Sequence, residues 1–244
     1  MGFSGPVTAL IVGARGGVGS AFLKSIVSSS EQHKVWATST ASDVNIEGAD
    51  YSSQLDICSE ESLAALAASM KRENFQPNLV LNCSGILHTD RFNPERSWRH
   101  LDIEVMRSVF DVNTFGVALL GKHLIPLMPR DGRSVFATLS ARVGSISDNR
   151  SGGWYSYRAS KAAQNMIVKA LAIEAAMRWR QLVCVALHPG TVDTRLSKPF
   201  ARSVPPGKLF SPFQACGYLC DVISKLGPSD SGGFYAWDGQ AIAY

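Results

Sequence analysis

The chain has 244 residues, 45% of them apolar and 18% charged, the balance of an ordinary globular protein, which argues against a disordered or fibrous chain. Lys and Arg outnumber Asp and Glu by 24 to 20, for a net charge of +4. The basic residues are scattered, so neither a basic tail nor a nucleic-acid partner is expected.

The opening residues, Met-Gly-Phe-Ser-Gly-Pro, carry no leader pattern, and Gly2 lacks the context of a myristoylation signal. Residues 7–12 then form a short apolar, β-branched run ending in glycine, the signature of a strand buried on both faces. A glycine-rich turn leads into a helical pattern over 20–28. A second strand is expected at 34–38, a helix at 60–70 opened by acidic residues, and a buried strand at 79–82. The spacing then predicts one long helix over 103–127, a strand at 134–139, a long Ala-rich helix over 156–177 and a strand at 182–187. Residues 196–212 are rich in proline and read as a loop or mobile lid. A helix over 213–226 and a strand at 233–237 complete the chain. No run approaches the length of a membrane span, so no membrane partner and a cytoplasmic location are expected.

Strand and helix in regular alternation predict an α/β fold: one Rossmann domain over residues 1–244, with a doubly wound parallel sheet of about seven strands and helices on both faces.

The first turn reads Gly13-Ala14-Arg15-Gly16-Gly17-Val18-Gly19. A strand-to-helix turn of this kind offers unpaired N–H groups to a pyrophosphate, and glycine lets the backbone come close. An acid at the end of the second strand would hold the ribose 2′-hydroxyl of NAD(H). This chain has Ala37-Thr38-Ser39-Thr40 there, with no acid, and Arg15 is available to a 2′-phosphate. NADP(H) is therefore the preferred cofactor, with NAD(H) as the alternative.

The most specific signal is Tyr157-Arg158-Ala159-Ser160-Lys161. Tyr and Lys four residues apart share one helix face. An ammonium beside the phenol favours the phenolate and would lower a pKa otherwise near 10. Tyr157 would then exchange a proton with a carbonyl or alcohol oxygen.

On these residues the chain resembles the short-chain dehydrogenase/reductase family along nearly its whole length. Gly13, Gly17, Val18 and Gly19 match the cofactor turn, and Asp56 with Ile57 matches the adenine contact. Asn82, Cys83, Ser84 and Gly85 resemble the segment that braces the central sheet and lines the cofactor. Asn113 resembles the asparagine that holds a relay water, and Tyr157 with Lys161 matches the catalytic pair. Pro189, Gly190, Val192 and Thr194 resemble the segment that closes over the nicotinamide. Residues 144–155 and 234–239 look most similar to C-factor-like and sniffer-like carbonyl reductases. One position departs. The family's Ser-x-x-Gly would place its carbonyl-polarising serine at Ala141, counting back from Gly144; Ser140 is the nearest substitute and Ser145 the second.

The resemblance implies hydride transfer between NADP(H) and a small, hydrophobic aldehyde, ketone or alcohol, with residues 190–213 shaping its pocket. The rival reading is a cofactor-binding signalling protein of the C-factor type with little or no catalysis. A homodimer or homotetramer is expected from the long helices. The five cysteines, Cys58, Cys83, Cys184, Cys216 and Cys220, lack metal-site spacing and read as reduced packing thiols, so no metal is expected.

Overall fold

The computed structural model describes residues 6–29 and 32–244, so Gly2 lies outside the described residues. The elements run β1 (Thr8–Val12), α1 (Gly17–Val27), β2 (Lys34–Ser39), β3 (Tyr51–Gln54), α2 (Glu60–Arg72), β4 (Leu79–Asn82), α3 (Ile103–Phe110), α4 (Gly116–Leu124), β5 (Ser134–Leu139), α5 (Tyr155–Ala175), β6 (Leu182–His188), β7 (Thr191–Val192), β8 (Leu209–Phe210), α6 (Pro212–Lys225) and β9 (Phe234–Ala236).

Seven strands form one parallel sheet in the order β3-β2-β1-β4-β5-β6-β9. The chain builds outward from β1 in one direction, then returns to start again at β4. That reversal opens a crevice at the carboxyl ends of β1 and β4, where open α/β sheets take their ligands.

The central strands are apolar on both faces because helices cover both. On one side α1 and α6 press Phe22, Ile26, Leu219 and Ile223 against Ile11, Val135 and Val185. On the other, α2, α4 and α5 press Leu63, Met70, Leu120 and Val168 against Leu10, Val80 and Phe136. Phe136 is fully buried. Replacing it by Ala is expected to cost about 4 kcal/mol in chemical denaturation, the transfer loss plus a cavity that a two-sided sheet cannot collapse.

Three departures from the sequence reading have local causes. The edge strand β3 reads Tyr-Ser-Ser-Gln and carries no apolar run. It is held by register against β2 and by Tyr51 stacking on Trp36 at 4.7 Å. The expected single helix over 103–127 is interrupted by a π-helical turn, Asp111–Phe115, and closes in a 3₁₀ turn, Ile125–Leu127, at Pro126. The expected loop over 196–212 contains a 3₁₀ turn, Lys198–Ser203, and β8, which pairs with β7 in a small parallel ribbon. Among the described residues no helix is long and apolar enough to cross a membrane. All five cysteines are free thiols: Cys184, Cys216 and Cys220 are buried, Cys83 is partly buried and Cys58 is exposed.

Candidate active site

The glycine turn is built by contact between its own ends. Gly13 has a φ of +77°, and a Cβ on Gly19 would lie 2.3 Å from the Gly13 carbonyl oxygen. Glycine at both positions lets α1 start directly over the end of β1. Gly16 caps α1 without any side-chain hydrogen bond, so the first-turn N–H groups remain available to an anion. A Cβ on Gly17 would lie 2.6 Å from Thr194 Cγ2, so this turn also packs against the segment after β6. Val18 is buried beneath it. This cradle, open to phosphate and too tight for side chains, fits a dinucleotide.

Arg15 stands at the outer end of the same edge. Its guanidinium donates to Asp43 Oδ2 at 3.1 Å and to the Asn45 carbonyl at 2.9 Å. Thr38 is buried and its Oγ1 has no partner among the described residues. Ser39 Oγ accepts the Ala41 N–H. Asp56 is exposed and accepts the Cys58 N–H, while Ile57 is buried against Gly116. Asn82 ties β4 to β5 through Thr138 Oγ1 at 3.0 Å and takes the Ser84 hydroxyl on its Oδ1 at 2.6 Å.

A cavity of about 400 Å³ runs from this cradle to the start of α5. Gly17, Val18, Cys83, Ser84, Gly85 and Lys161 line it toward the cradle. Pro189, Gly190, Val192 and Thr194 form a wall. Leu87, Val143, Trp154, Leu196 and Phe200 give its far end an apolar surface, around Tyr157. Thr38, Ser39, Asp56 and Ile57 lie along the same sheet edge outside this cavity.

Tyr157 and Lys161 project together from the first turns of α5, with Lys161 Nζ 5.8 Å from the centre of the Tyr157 ring. Lys161 Nζ donates to the Leu139 carbonyl at 2.9 Å and to Gln164 Oε1 at 2.8 Å. Gln164 is itself held by Thr138 Oγ1 and Leu139. Burial acts on both members of the pair. It pushes the Tyr157 phenol well above its ordinary pKa and draws the Lys161 ammonium down to about 7. The sequence reading expected the ammonium to depress the phenol; desolvation outweighs it here, because the phenolate would be the charged form in a closed site. Lys161 carries its charge below about pH 7 and loses it above. Any proton transfer at this pair that needs the charged Lys161 is therefore expected to show an alkaline limb in kcat/KM with an apparent pKa near 7. Lys161→Arg should move that limb upward, since a guanidinium keeps its proton; an unmoved limb would assign it to another group.

Asn113 sits in the π-helical turn, buried, pairing with the backbone of Ile86 in both directions (2.9 and 2.8 Å) and donating to Ser160 Oγ. A Cβ on Gly85 would lie 3.4 Å from both Asn113 Oδ1 and Lys161 Nζ, which puts these groups around one point. Ser140 lines the cavity, but its hydroxyl donates to Asn165 Oδ1 at 2.7 Å. Ser145 is turned away, with its hydroxyl on the Ala243 carbonyl.

Sequence reasoning missed three supports. Gly144 is glycine because a Cβ there would lie 2.8 Å from Lys161 Cβ, so the turn after β5 rests directly on α5. Gln164 orients Lys161, and its place one turn further along the same face was a readable signal. Glu95 is buried in the loop after β4. Its carboxylate accepts both the N–H and the hydroxyl of Ser156, and its carbonyl accepts the Trp154 N–H. Gly152, Gly153 and Trp154 all have positive φ, and Trp154, the cap residue of α5, makes no side-chain cap of its own. Glu95 supplies that cap from 60 positions upstream, and no local pattern announces it.

The family model described as short chain dehydrogenase matches residues 7–204. The chain belongs to the short-chain dehydrogenase family. Among curated relatives, this family member is 31% identical to 1-hydroxy-2-glutathionyl-2-methyl-3-butene dehydrogenase of Rhodococcus sp. (strain AD45), over 97% of its own length and 99% of the relative's. It is 32% identical to the C-signal protein of Myxococcus xanthus over 59% of its length and 81% of that protein's. Among solved structures, NADPH-bound carbonyl reductase from chicken fatty liver superposes with a TM-score of 0.83 at 24% identity, covering all of this short-chain dehydrogenase and 96% of that chain.

Proposed function

We propose that the protein is an NADP(H)-dependent carbonyl reductase or alcohol dehydrogenase of a small, largely hydrophobic substrate. The observation that carries this reading is the Tyr157–Lys161 pair at one end of an apolar cavity whose other end is the glycine cradle.

The bound dinucleotide supplies or takes up the hydride. Gly13, Gly17 and Gly19 hold the pyrophosphate on the open N-terminus of α1. Asp56 and Ile57 would hold the adenine end, and Pro189, Gly190, Val192 and Thr194 the nicotinamide end. Arg15, with Thr38 and Ser39 in place of an acid, favours a 2′-phosphate, which would compete with Asp43 for the guanidinium. Tyr157 keeps its proton at neutral pH and gives it to the carbonyl oxygen as the carbon is reduced; in the reverse direction it takes the alcohol proton. Lys161, charged below about pH 7, would stand next to the phenol and the nicotinamide ribose, and Asn113 would steady a relay water that returns the proton from solvent. Ser140 steadies the substrate oxygen only by giving up its bond to Asn165, so it is the weakest member of the set. Residues 190–213 form the adjustable wall of the pocket. Exposed Phe115, Met166 and Ile173 on the π-helical turn and α5 favour a homodimer or homotetramer, and the cytoplasm is the proposed location.

The likeness to the C-signal protein, together with Ala141 at the serine position, favours a second reading, a cofactor-binding signalling protein. One titration separates the readings: NADPH and NADH binding followed by fluorescence, then a screen of carbonyl compounds. The proposed function requires NADPH to bind at least about tenfold tighter than NADH, with Arg15→Ala narrowing the gap, and turnover of at least one aldehyde or ketone. Tighter NADH binding overturns the cofactor preference. Cofactor binding without any turnover favours the signalling reading.

A further inference from the structure

The charged groups that line the cavity have one sign. Arg142, Lys161 and Arg195 line it, and no Asp or Glu does. Lys161 is committed to Leu139, Gln164 and the catalytic pair. Arg195 lies on the exposed rim, 3.6 Å from Asp90.

Arg142 is less exposed, 56% of its side chain against 88% for Arg195. It directly follows Ala141, the wall position where the family carries its serine. Its Nε donates to Asp148 at 2.8 Å, in an ion pair whose two side chains are 56% and 51% exposed. Its two Nη groups make no hydrogen bond among the described residues. β5 and β6 end side by side, with the Ser140 N–H on the Leu187 carbonyl, and so deliver His188 to the same edge. His188 also lines the cavity, and its Nδ1 is buried without a partner among the described residues. Arg142 is close enough to help hold the imidazole neutral, with a pKa drawn down to about 4, chiefly by burial. Two acids stand nearby, Asp148, paired with the Arg142 Nε, and Asp238; neither lines the cavity, and both His188 and the two Nη groups of Arg142 are left to a ligand.

A buried imidazole nitrogen without a partner is costly, and a guanidinium whose two Nη groups are unbonded presents a fork matched to a carboxylate. We propose that Arg142 and His188 form a carboxylate-binding subsite, so that the substrate is an oxo acid or hydroxy acid with its carboxylate within a few atoms of the reacting carbon. The subsite rests on the reading of the protein as a carbonyl reductase. Leu87, Val143, Trp154 and Phe200 then cover the substrate's apolar remainder. Neutral His188 donates one hydrogen bond to the carboxylate, and Arg142 supplies the opposing charge.

The test is a homologous series of short oxo acids, each paired with its methyl ester. The wild-type protein is expected to reduce the best acid with a kcat/KM about tenfold or more above its ester, the effect of one charge-assisted hydrogen bond. Arg142→Met should bring the acid-to-ester ratio close to one, and His188→Asn should lower it in part. An acid-to-ester ratio of one or less in the wild-type protein, or a ratio that survives in Arg142→Met, overturns the subsite. Should neither acids nor esters turn over, the reductase reading fails first. Competitive binding of acid against ester to the NADPH-loaded protein, read from tryptophan fluorescence, then decides the subsite: a preference for the acid that is lost in Arg142→Met supports it, and equal binding ends it.

Discussion

Tyr157→Phe is expected to lower kcat/KM for carbonyl reduction about a thousandfold while the Kd for NADPH stays within about fivefold. The variant removes one oxygen and leaves the buried ring against Trp154 at 6.3 Å, so the fold has no reason to respond. The loss is large because the other groups near the oxygen are engaged. The Ser140 proton lies on Asn165 and the Lys161 ammonium is bonded to Leu139 and Gln164. Steady-state kinetics with a saturating cofactor would check it. Retention of more than about a tenth of the wild-type kcat/KM would move the proton donor to another group.

Gly19→Ala carries the second large effect. Its Cβ alone would fall 2.3 Å from the Gly13 carbonyl oxygen, a backbone atom that cannot swing aside. The start of α1 must lift from the end of β1, at a cost of about 3 kcal/mol and a fall in Tm of roughly 6–12 °C. The same displacement misdirects the N–H groups of the cradle, so NADPH affinity should drop at least about a hundredfold. Gly132→Ala is the control. Gly132 has a positive φ, +82°, unlike Gly19, but a Cβ there meets nothing within 4 Å. It should cost only about 1–2 kcal/mol of backbone strain and leave NADPH binding intact. Equal effects of the two variants on cofactor affinity would show that the close approach at Gly19 is not what shapes the cradle.

What could be read from the sequence was whatever repeats locally. The apolar runs of β1, β4, β5 and β6 and the helical periods between them gave the parallel sheet. The glycine turn and the Tyr157–Lys161 spacing placed the two ends of the cavity. Features set by distant packing were not readable. β3 is polar and exists because Trp36 and β2 offer it an edge. The π-helical turn at Asn113 keeps the helical composition of its neighbours and shows itself only through the bonds to Ile86 and Ser160. Burial, which reverses the expected effect on the Tyr157 phenol, is a property of the closed site and has no sequence signature. The choice between Ser140 and Ser145 turned on side-chain direction, and the structure gives each hydroxyl a different partner.

The Glu95 cap has a consequence for how this scaffold can be changed. The loop that carries Glu95 also supplies Leu87 to the cavity wall, so one segment both shapes the pocket and fixes where α5 begins. Grafting that loop from a relative to exchange specificity would therefore transplant or delete a helix anchor at the same time. Chimeras that retain a carboxylate at position 95 should keep their catalytic geometry, whereas those without it would lose turnover for every substrate alike. The loop is not a free cassette, and selection for new substrates in this lineage would act more readily on the wall formed by residues 190–213.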